Sequence, residues 1–111
     1  MSIATQKLHT KADLVEQVGS TFTIHVSDVV TVPAVLFETV DGPTSPGTEQ
    51  FALHFRLPVE TPPVQRTYDL DHPVLGALQL FLVPIGRDAA GLQLEAVFSR
   101  RTDQAPSEDD G

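Results

Sequence analysis

The residues best placed for acid–base chemistry are Asp71 and His72, which are adjacent in the chain and are followed by Pro73. An aspartate beside a histidine could orient the imidazole as a general base. The same segment is typical of a tight turn, because Asp71 and His72 can bond the local backbone, Pro73 fixes φ and Gly76 permits a reversal. No serine, cysteine or second carboxylate follows at a spacing typical of a catalytic set. We therefore predict a structural turn here.

The four histidines do not show the spacing of a metal site, since no two of them are four residues apart. His25 and His54 fall at outward positions of two predicted strands, and a weak adventitious site is conceivable if those strands pair. The alternative, which we favour, is solvated surface histidines. Four carboxylates are also predicted to point outward: Glu38, Glu49, Asp69 and Glu95. The sequence thus predicts no catalytic residue, no cofactor-binding residue, no metal ligand and no bound cofactor.

A strong strand pattern follows the Asp71-His72 turn, over residues 77–85. Its inward positions are Leu78, Leu80 and Leu82, and its outward positions are Gln79, Phe81 and Val83. Successive side chains of a strand point to opposite faces. One face is therefore wholly apolar, and the other becomes apolar toward its end. Such a strand needs cover on both sides over part of its length, so we predict that it is central in its sheet.

Five further segments alternate with the period of a strand. They lie within residues 21–26, 32–40 and 49–57, in a short fourth segment with Tyr68 and Leu70 inward, and within 92–99, and turn-forming residues separate most of them. Pro33 places the start of the second strand at an edge or a bulge. Tyr68 belongs to the fourth strand, and we expect its hydroxyl to reach a backbone carbonyl. The predicted core contains Phe22, Ile24, Phe51, Leu53, Phe55, Leu78, Leu80, Leu82, Leu94 and Phe98.

Six short strands joined by turns predict a mainly β fold, an antiparallel meander that closes into a small six-stranded barrel or a roll. One short N-terminal helix is predicted over residues 10–19, with Thr10 as N-cap, Asp13 three residues on and Gly19 as terminator. We expect this helix either to plug one opening of the barrel or to cover Phe81 and Val83. The predicted organisation is a flexible lead (1–9), a single β domain (10–101) and a disordered acidic tail (102–111).

The chain is acidic, with 15 Asp and Glu against 7 Lys and Arg and a formal net charge of −8. Phosphate backbones and anionic membrane surfaces require clustered basic residues, so nucleic acid and membranes are not expected partners. The chain has no cysteine, which excludes thiol catalysis and disulfides. Its N-terminus lacks a continuous apolar core of signal-peptide length. We expect a cytoplasmic protein, or one incorporated into a larger particle.

Three motifs carry a resemblance to a known family. They are Tyr68-x-Leu70-x-His72-Pro73-x-Leu75-Gly76, then Leu80-Phe81-Leu82-Val83-Pro84, and finally Glu95-Ala96-Val97-Phe98. Together they resemble a family of small bacterial β-rich proteins described as a domain of unknown function, over roughly residues 10–99. The resemblance implies a setting, because such proteins are sometimes encoded near tail-collar-type fibre proteins of phage-like systems. It lends no catalytic residues.

Two classes of function are compatible with these patterns. The first is a non-enzymatic structural or assembly module that contacts another protein, such as a fibre or tail-collar-type protein, through loops 41–48 and 58–65 or through a sheet edge. The second is a small-ligand-binding or hydrolytic β-barrel with a site near Asp71 and His72. Six-stranded barrels are normally filled by their own side chains. We therefore predict the non-enzymatic module.

Overall fold

The computed structural model describes residues 11–43 and 47–101. The predicted lead (1–9), the predicted cap Thr10 and the predicted tail (102–111) lie outside these residues. The described residues form one short helix and six strands, in the order α1 (Lys11–Val15), β1 (Thr21–His25), β2 (Thr31–Asp41), β3 (Thr48–Leu57), β4 (Arg66–His72), β5 (Gly76–Asp88) and β6 (Gly91–Arg101). In the described part of the chain, no helix is both long and apolar enough to cross a membrane.

The six strands close into an antiparallel barrel with the order β1-β2-β3-β6-β5-β4, in which β4 returns to pair with β1. The predicted fold class is confirmed. The predicted meander is wrong, because β3 pairs with β6 and β1 pairs with β4. β3 and β4 occupy opposite positions in the ring. The connection between them, residues 58–65, therefore crosses one end of the barrel, and we call it the crossing loop.

The barrel interior is filled by apolar side chains from all six strands. The buried cluster contains Phe22, Ile24, Ala34, Leu36, Phe51, Leu53, Phe55, Leu57, Tyr68, Leu70, Leu78, Leu80, Leu82, Leu92, Leu94 and Ala96, together with Leu14 of α1. Every predicted core residue is buried except Phe98, which is partly buried against the cluster. The ring of Phe98 stacks on that of Phe51, with centroids 4.8 Å apart.

Strands β2 and β5 each contain irregular residues. These residues lie near the points where pairing with one neighbouring strand ends and pairing with the other begins. Pro33 lies in the part of β2 that pairs with β1 alone, and Phe37 forms a bulge opposite β3. β5 pairs with β4 over its first half and with β6 over its second, with a second irregularity at Ile85. The connection between β5 and β6 is short, because β5 continues to Asp88 and β6 begins at Gly91.

The helix lies at one end of the barrel. Regular helix covers Lys11–Val15, and turns continue the segment to Gly19, which has a φ of +96°. Gly19 N donates to the backbone oxygen of Leu36, and Lys11 forms an ion pair with Asp41. The alternative expectation, that the helix covers Phe81, is wrong: the side chain of Phe81 is half exposed. A single short helix whose Leu14 enters the core at the barrel end leaves this outer wall uncovered.

Candidate functional site

His72 is the buried histidine at the end of β4, with 5% of its surface exposed. Its Nδ1 accepts hydrogen bonds from the backbone nitrogens of Val74 (3.0 Å) and Leu75 (3.2 Å). Nδ1 therefore carries no proton, and the proton of the neutral ring is on Nε2. Nε2 lies 2.9 Å from Ser20 Oγ and donates to it, while the Ser20 hydroxyl donates to the backbone oxygen of Gln17.

This network joins the turn after β4 to the segment that follows α1. Burial lowers the pKa of His72, which favours the neutral ring that the hydrogen bonds require. A general base for Ser20 would need a free lone pair on Nε2, and that atom carries the proton instead. The ring also packs against Phe22, with centroids 4.4 Å apart. The arrangement holds a turn together, as predicted for His72. The expectation that Asp71 also bonds the local backbone is wrong, because its carboxylate contacts His25.

Asp71 points away from His72. The two residues are adjacent in β4, so their side chains lie on opposite faces of the sheet. Asp71 Oδ2 contacts His25 Nε2 of β1 at 2.7 Å on the outer surface. Tyr68 donates its hydroxyl proton to the backbone oxygen of Val64 at 2.6 Å, which confirms the expected contact with a carbonyl. Asp71, His72 and Tyr68 therefore do not converge on one pocket.

His54 lies on the outer surface of β3, directly opposite Glu38 of β2 and Glu95 of β6. Its Nδ1 lies 3.0 Å from Glu38 Oε1, and its Nε2 lies 2.9 Å from Glu95 Oε2. Ionised carboxylates only accept hydrogen bonds, so a ring that bonds both of them is an imidazolium. Burial lowers the pKa of His54, but hydrogen bonds and negative charge from Glu95 and Glu38 outweigh it and raise the pKa overall. Glu38, His54 and Glu95 thus form a row across three neighbouring strands. The sequence pattern did not reveal this row, because the row depends on the order of the strands in the barrel.

His25 and His54 are not neighbours, since β2 lies between β1 and β3. The condition for the adventitious site considered from the sequence is therefore not met. Within residues 11–43 and 47–101, no three His, Asp or Glu side chains are grouped so as to hold a metal ion. The two carboxylates at His54 bond opposite nitrogens of one ring, which is the geometry of a hydrogen-bonded row across three strands.

The outer wall of β5 and β6 carries a strip of apolar side chains. We call Phe81, Val83, Ile85 and Val97 the β5–β6 face. The exposed fractions are 52% for Phe81, 45% for Ile85 and 69% for Val97. Val83 pairs with Glu95, and Val97 lies two residues farther along β6 on the same side of the strand. The alternation of residues 79–83 predicted outward apolar side chains here, and the structure leaves them at the surface.

A comparison with protein families matches residues 9–98 to the family described as Domain of unknown function (DUF6916). The chain belongs to the DUF6916 family. The DUF6916 match begins two residues before α1 and ends within β6, so it includes both the His72 network and the β5–β6 face. The resemblance inferred from the motifs is confirmed at the level of the family, while bacterial origin and a phage-like setting stay predictions. No curated protein and no solved structure matches the chain.

Proposed function

We propose that this DUF6916 domain is a non-enzymatic structural or assembly module that binds another protein through the β5–β6 face. The observation that carries the proposal is the strip of apolar side chains on the outside of the barrel, of which Phe81 is the largest. Apolar patches at the surface of a small domain mark sites of protein contact more often than scattered single residues do. Large aromatic side chains such as Phe81 also contribute strongly to interface energies.

The filled interior supports a surface function over a ligand-binding one. Side chains from all six strands meet inside the barrel, among them Phe22, Phe55 and Leu82 with no exposed surface. The rings of Phe22 and Phe55 meet edge to face at 5.2 Å. Ligand-binding barrels usually keep a lined cavity among more strands, whereas a small barrel packed in this way uses its outer wall and its loops.

The partner is a protein, and the first candidate is a fibre or tail-collar-type protein of a phage-like system. This candidate rests on the resemblance carried by the motifs around His72 and Phe81. The net charge of −8 argues against nucleic acid and against an anionic membrane surface. The proposed location is the cytoplasm or a larger particle into which the module is incorporated.

Site-specific photocrosslinking tests the proposal. Phe81 is replaced by p-benzoylphenylalanine in the full chain, which is expressed in its native cell and irradiated. The matched control carries the same residue in place of Val74, which is 73% exposed in the turn between β4 and β5. We expect a discrete adduct from position 81 that mass spectrometry identifies as one protein, and no such adduct from position 74. Equal labelling from both positions, or no adduct from position 81, would contradict the proposed face.

A further inference from the structure

A small pocket opens at the barrel end that the crossing loop spans. It lies between that loop and the connection from β1 to β2, and its volume is about 220 Å³. Its apolar lining consists of Val26, Val30, Val32, Pro58 and Pro62. Its two polar lining residues are Glu60 and Thr61. The pocket is separate from the β5–β6 face, and none of the residues discussed as catalytic candidates lines it.

Hydrogen bonds hold both walls of the pocket in place. In the connection from β1 to β2, Ser27 Oγ accepts from the backbone nitrogen of Val30, and Val26 N donates to the backbone oxygen of Val30. In the crossing loop, Thr61 N donates to the backbone oxygen of Pro58. Arg87 of β5 then donates to the backbone oxygen of Thr61 at 2.9 Å. A pocket with two fixed walls is largely preformed, as binding sites usually are.

The hydroxyl of Thr61 lacks a hydrogen-bond partner. Thr61 is 5% exposed, and its Oγ1 is buried without any bond among the residues that the structure describes. Buried polar groups in native proteins are nearly always bonded, so this hydroxyl is an exception, and it belongs to a residue that lines the pocket.

The volume of the pocket and the negative charge beside it limit which chemical groups it can bind. Pockets for drug-sized ligands measure about 300–1,000 Å³, so a pocket of about 220 Å³ fits one large side chain better than a whole cofactor. Because most of the lining residues are apolar, the side chain that fits is an apolar one. Glu60 is exposed at the pocket and forms no ion pair within the described ranges, and the chain carries a net charge of −8. A lysine or arginine beside the inserted residue would complement that charge.

We propose that this pocket binds one large apolar side chain of a partner polypeptide, flanked by lysine or arginine that faces Glu60. The inference goes beyond the β5–β6 face by giving the chemistry of a second contact with a partner, and its biological meaning rests on the proposed function. Its contact surface is distinct from the β5–β6 face. The surrounding surface fits the same partner, because Val29, Val59 and Val64 beside the pocket are exposed apolar residues.

The test is an NMR titration of the isotopically labelled full chain with capped tripeptides. The probe is acetyl-Lys-Leu-Lys-amide, and the controls are acetyl-Lys-Ala-Lys-amide and acetyl-Glu-Leu-Glu-amide. Because only one side chain of the Lys-Leu-Lys peptide is anchored, we expect a dissociation constant of about 1 mM for its complex with the protein. We expect the amide signals of Val26, Val30 and Thr61 to shift with the Lys-Leu-Lys peptide, and each control to bind at least about fivefold more weakly.

A charge-reversal variant adds a matched comparison. Glu60→Lys should weaken the Lys-Leu-Lys peptide by at least about fivefold and reverse the preference between it and the Glu-Leu-Glu peptide. Glu16→Lys makes the same charge change at an exposed residue after α1 and should leave both affinities unchanged. The double variant Phe81→Ser/Val97→Ser should also bind the peptide normally, so failure of the pocket and failure of the β5–β6 face are separate results.

Three outcomes would overturn the pocket proposal. The first is the absence of shifts at Val26, Val30 and Thr61 at a peptide concentration of about 10 mM. The second is equal binding of the leucine and alanine peptides, which would mean that no side chain enters the pocket. The third is a shift of the same signals with protein concentration in the absence of peptide, which would make a second copy of the chain the occupant.

Discussion

His72 donates a hydrogen bond to Ser20, and the direction of that bond determines what the pair can do. The separation of His72 Nε2 and Ser20 Oγ is 2.9 Å, which is a distance that hydrolases also show between base and nucleophile. Here the backbone nitrogens of Val74 and Leu75 occupy Nδ1, so the proton is on Nε2 and points at Ser20. A proton donor cannot activate the hydroxyl that it bonds. The pair therefore fastens the end of β4 to the segment after α1.

Replacing Ser20 tests this structural role. Ser20→Ala leaves the buried Nε2–H of His72 without an acceptor, and we expect the free energy of unfolding to fall by about 1–3 kcal/mol. Chemical denaturation of the purified variant measures the change. Labelling with a fluorophosphonate probe provides the functional comparison, because an activated Ser20 would react rapidly. Stoichiometric labelling of Ser20 in the wild-type chain, lost in His72→Asn, would support the hydrolytic alternative instead.

The raised pKa of His54 predicts that this residue makes the stability of the fold depend on pH. Its raised pKa means that the folded state binds the proton more tightly than the unfolded state does. Its stabilisation is fully present below the unfolded value of about 6.5 and is lost as pH rises through the higher folded value. The groups that face it are Glu38 of β2 and Glu95 of β6, with the ring of Phe37 and the guanidinium of Arg56 beside them.

The variant His54→Gln isolates that contribution. We expect it to be less stable than the wild type by about 1.5–3 kcal/mol near pH 5.5, because charge-assisted hydrogen bonds to two carboxylates are lost. The difference should shrink as the pH is raised to about 8.5. His72 has the opposite sign: its lowered pKa reduces stability as pH falls below about 6.5. Urea melts across this range give both trends, and a difference for His54→Gln that grows with pH would contradict the imidazolium assignment.

The interior and the strands could be predicted because their signal is local. Alternation over residues 78–82 fixes which side chains face inward, and the structure buries Leu78, Leu80 and Leu82 as expected. The row through His54 could not be predicted, since it requires β6 to lie beside β3 rather than beside β5 alone. The same long-range pairing makes the crossing loop span the barrel end. The exposure of Phe81 depended on where one short helix docks, which its own sequence does not specify.

Truncating a side chain should destabilise the protein much more on the inner face of β5 than on its outer face. Leu80 lies in the core, and Leu80→Ala is expected to cost about 2–5 kcal/mol because it leaves a cavity in the barrel. Phe81→Ala changes the next residue, which is half exposed, and should cost less than about 1 kcal/mol. Denaturant melts of the two variants compare the effects directly. A loss below roughly 0.5 kcal/mol for Leu80→Ala would show that the assigned facing is wrong.

Two glycines with positive φ should tolerate substitution differently. A Cβ on Gly91 would lie 2.2 Å from the backbone oxygen of Leu57, and its φ is +143°. Gly91→Ala should therefore destabilise the barrel by more than about 1 kcal/mol. Gly76 has a φ of +79° with open space around it, so Gly76→Asn should cost less than about 1 kcal/mol, because Asn accepts this conformation. Equal thermal melts for the two variants would contradict the close approach of Gly91 to β3.

We propose above that the β5–β6 face binds a protein partner, and this claim can be tested on the purified proteins. The most direct measurement is calorimetric titration of the partner identified by crosslinking against the wild-type chain, Phe81→Ser/Val97→Ser and the exposed control Val74→Ser. We predict that the double variant raises the dissociation constant at least tenfold, equivalent to about 1.4 kcal/mol, while it retains the wild-type fold by circular dichroism. Val74→Ser should bind like the wild type. An unchanged dissociation constant for the double variant would contradict the claim.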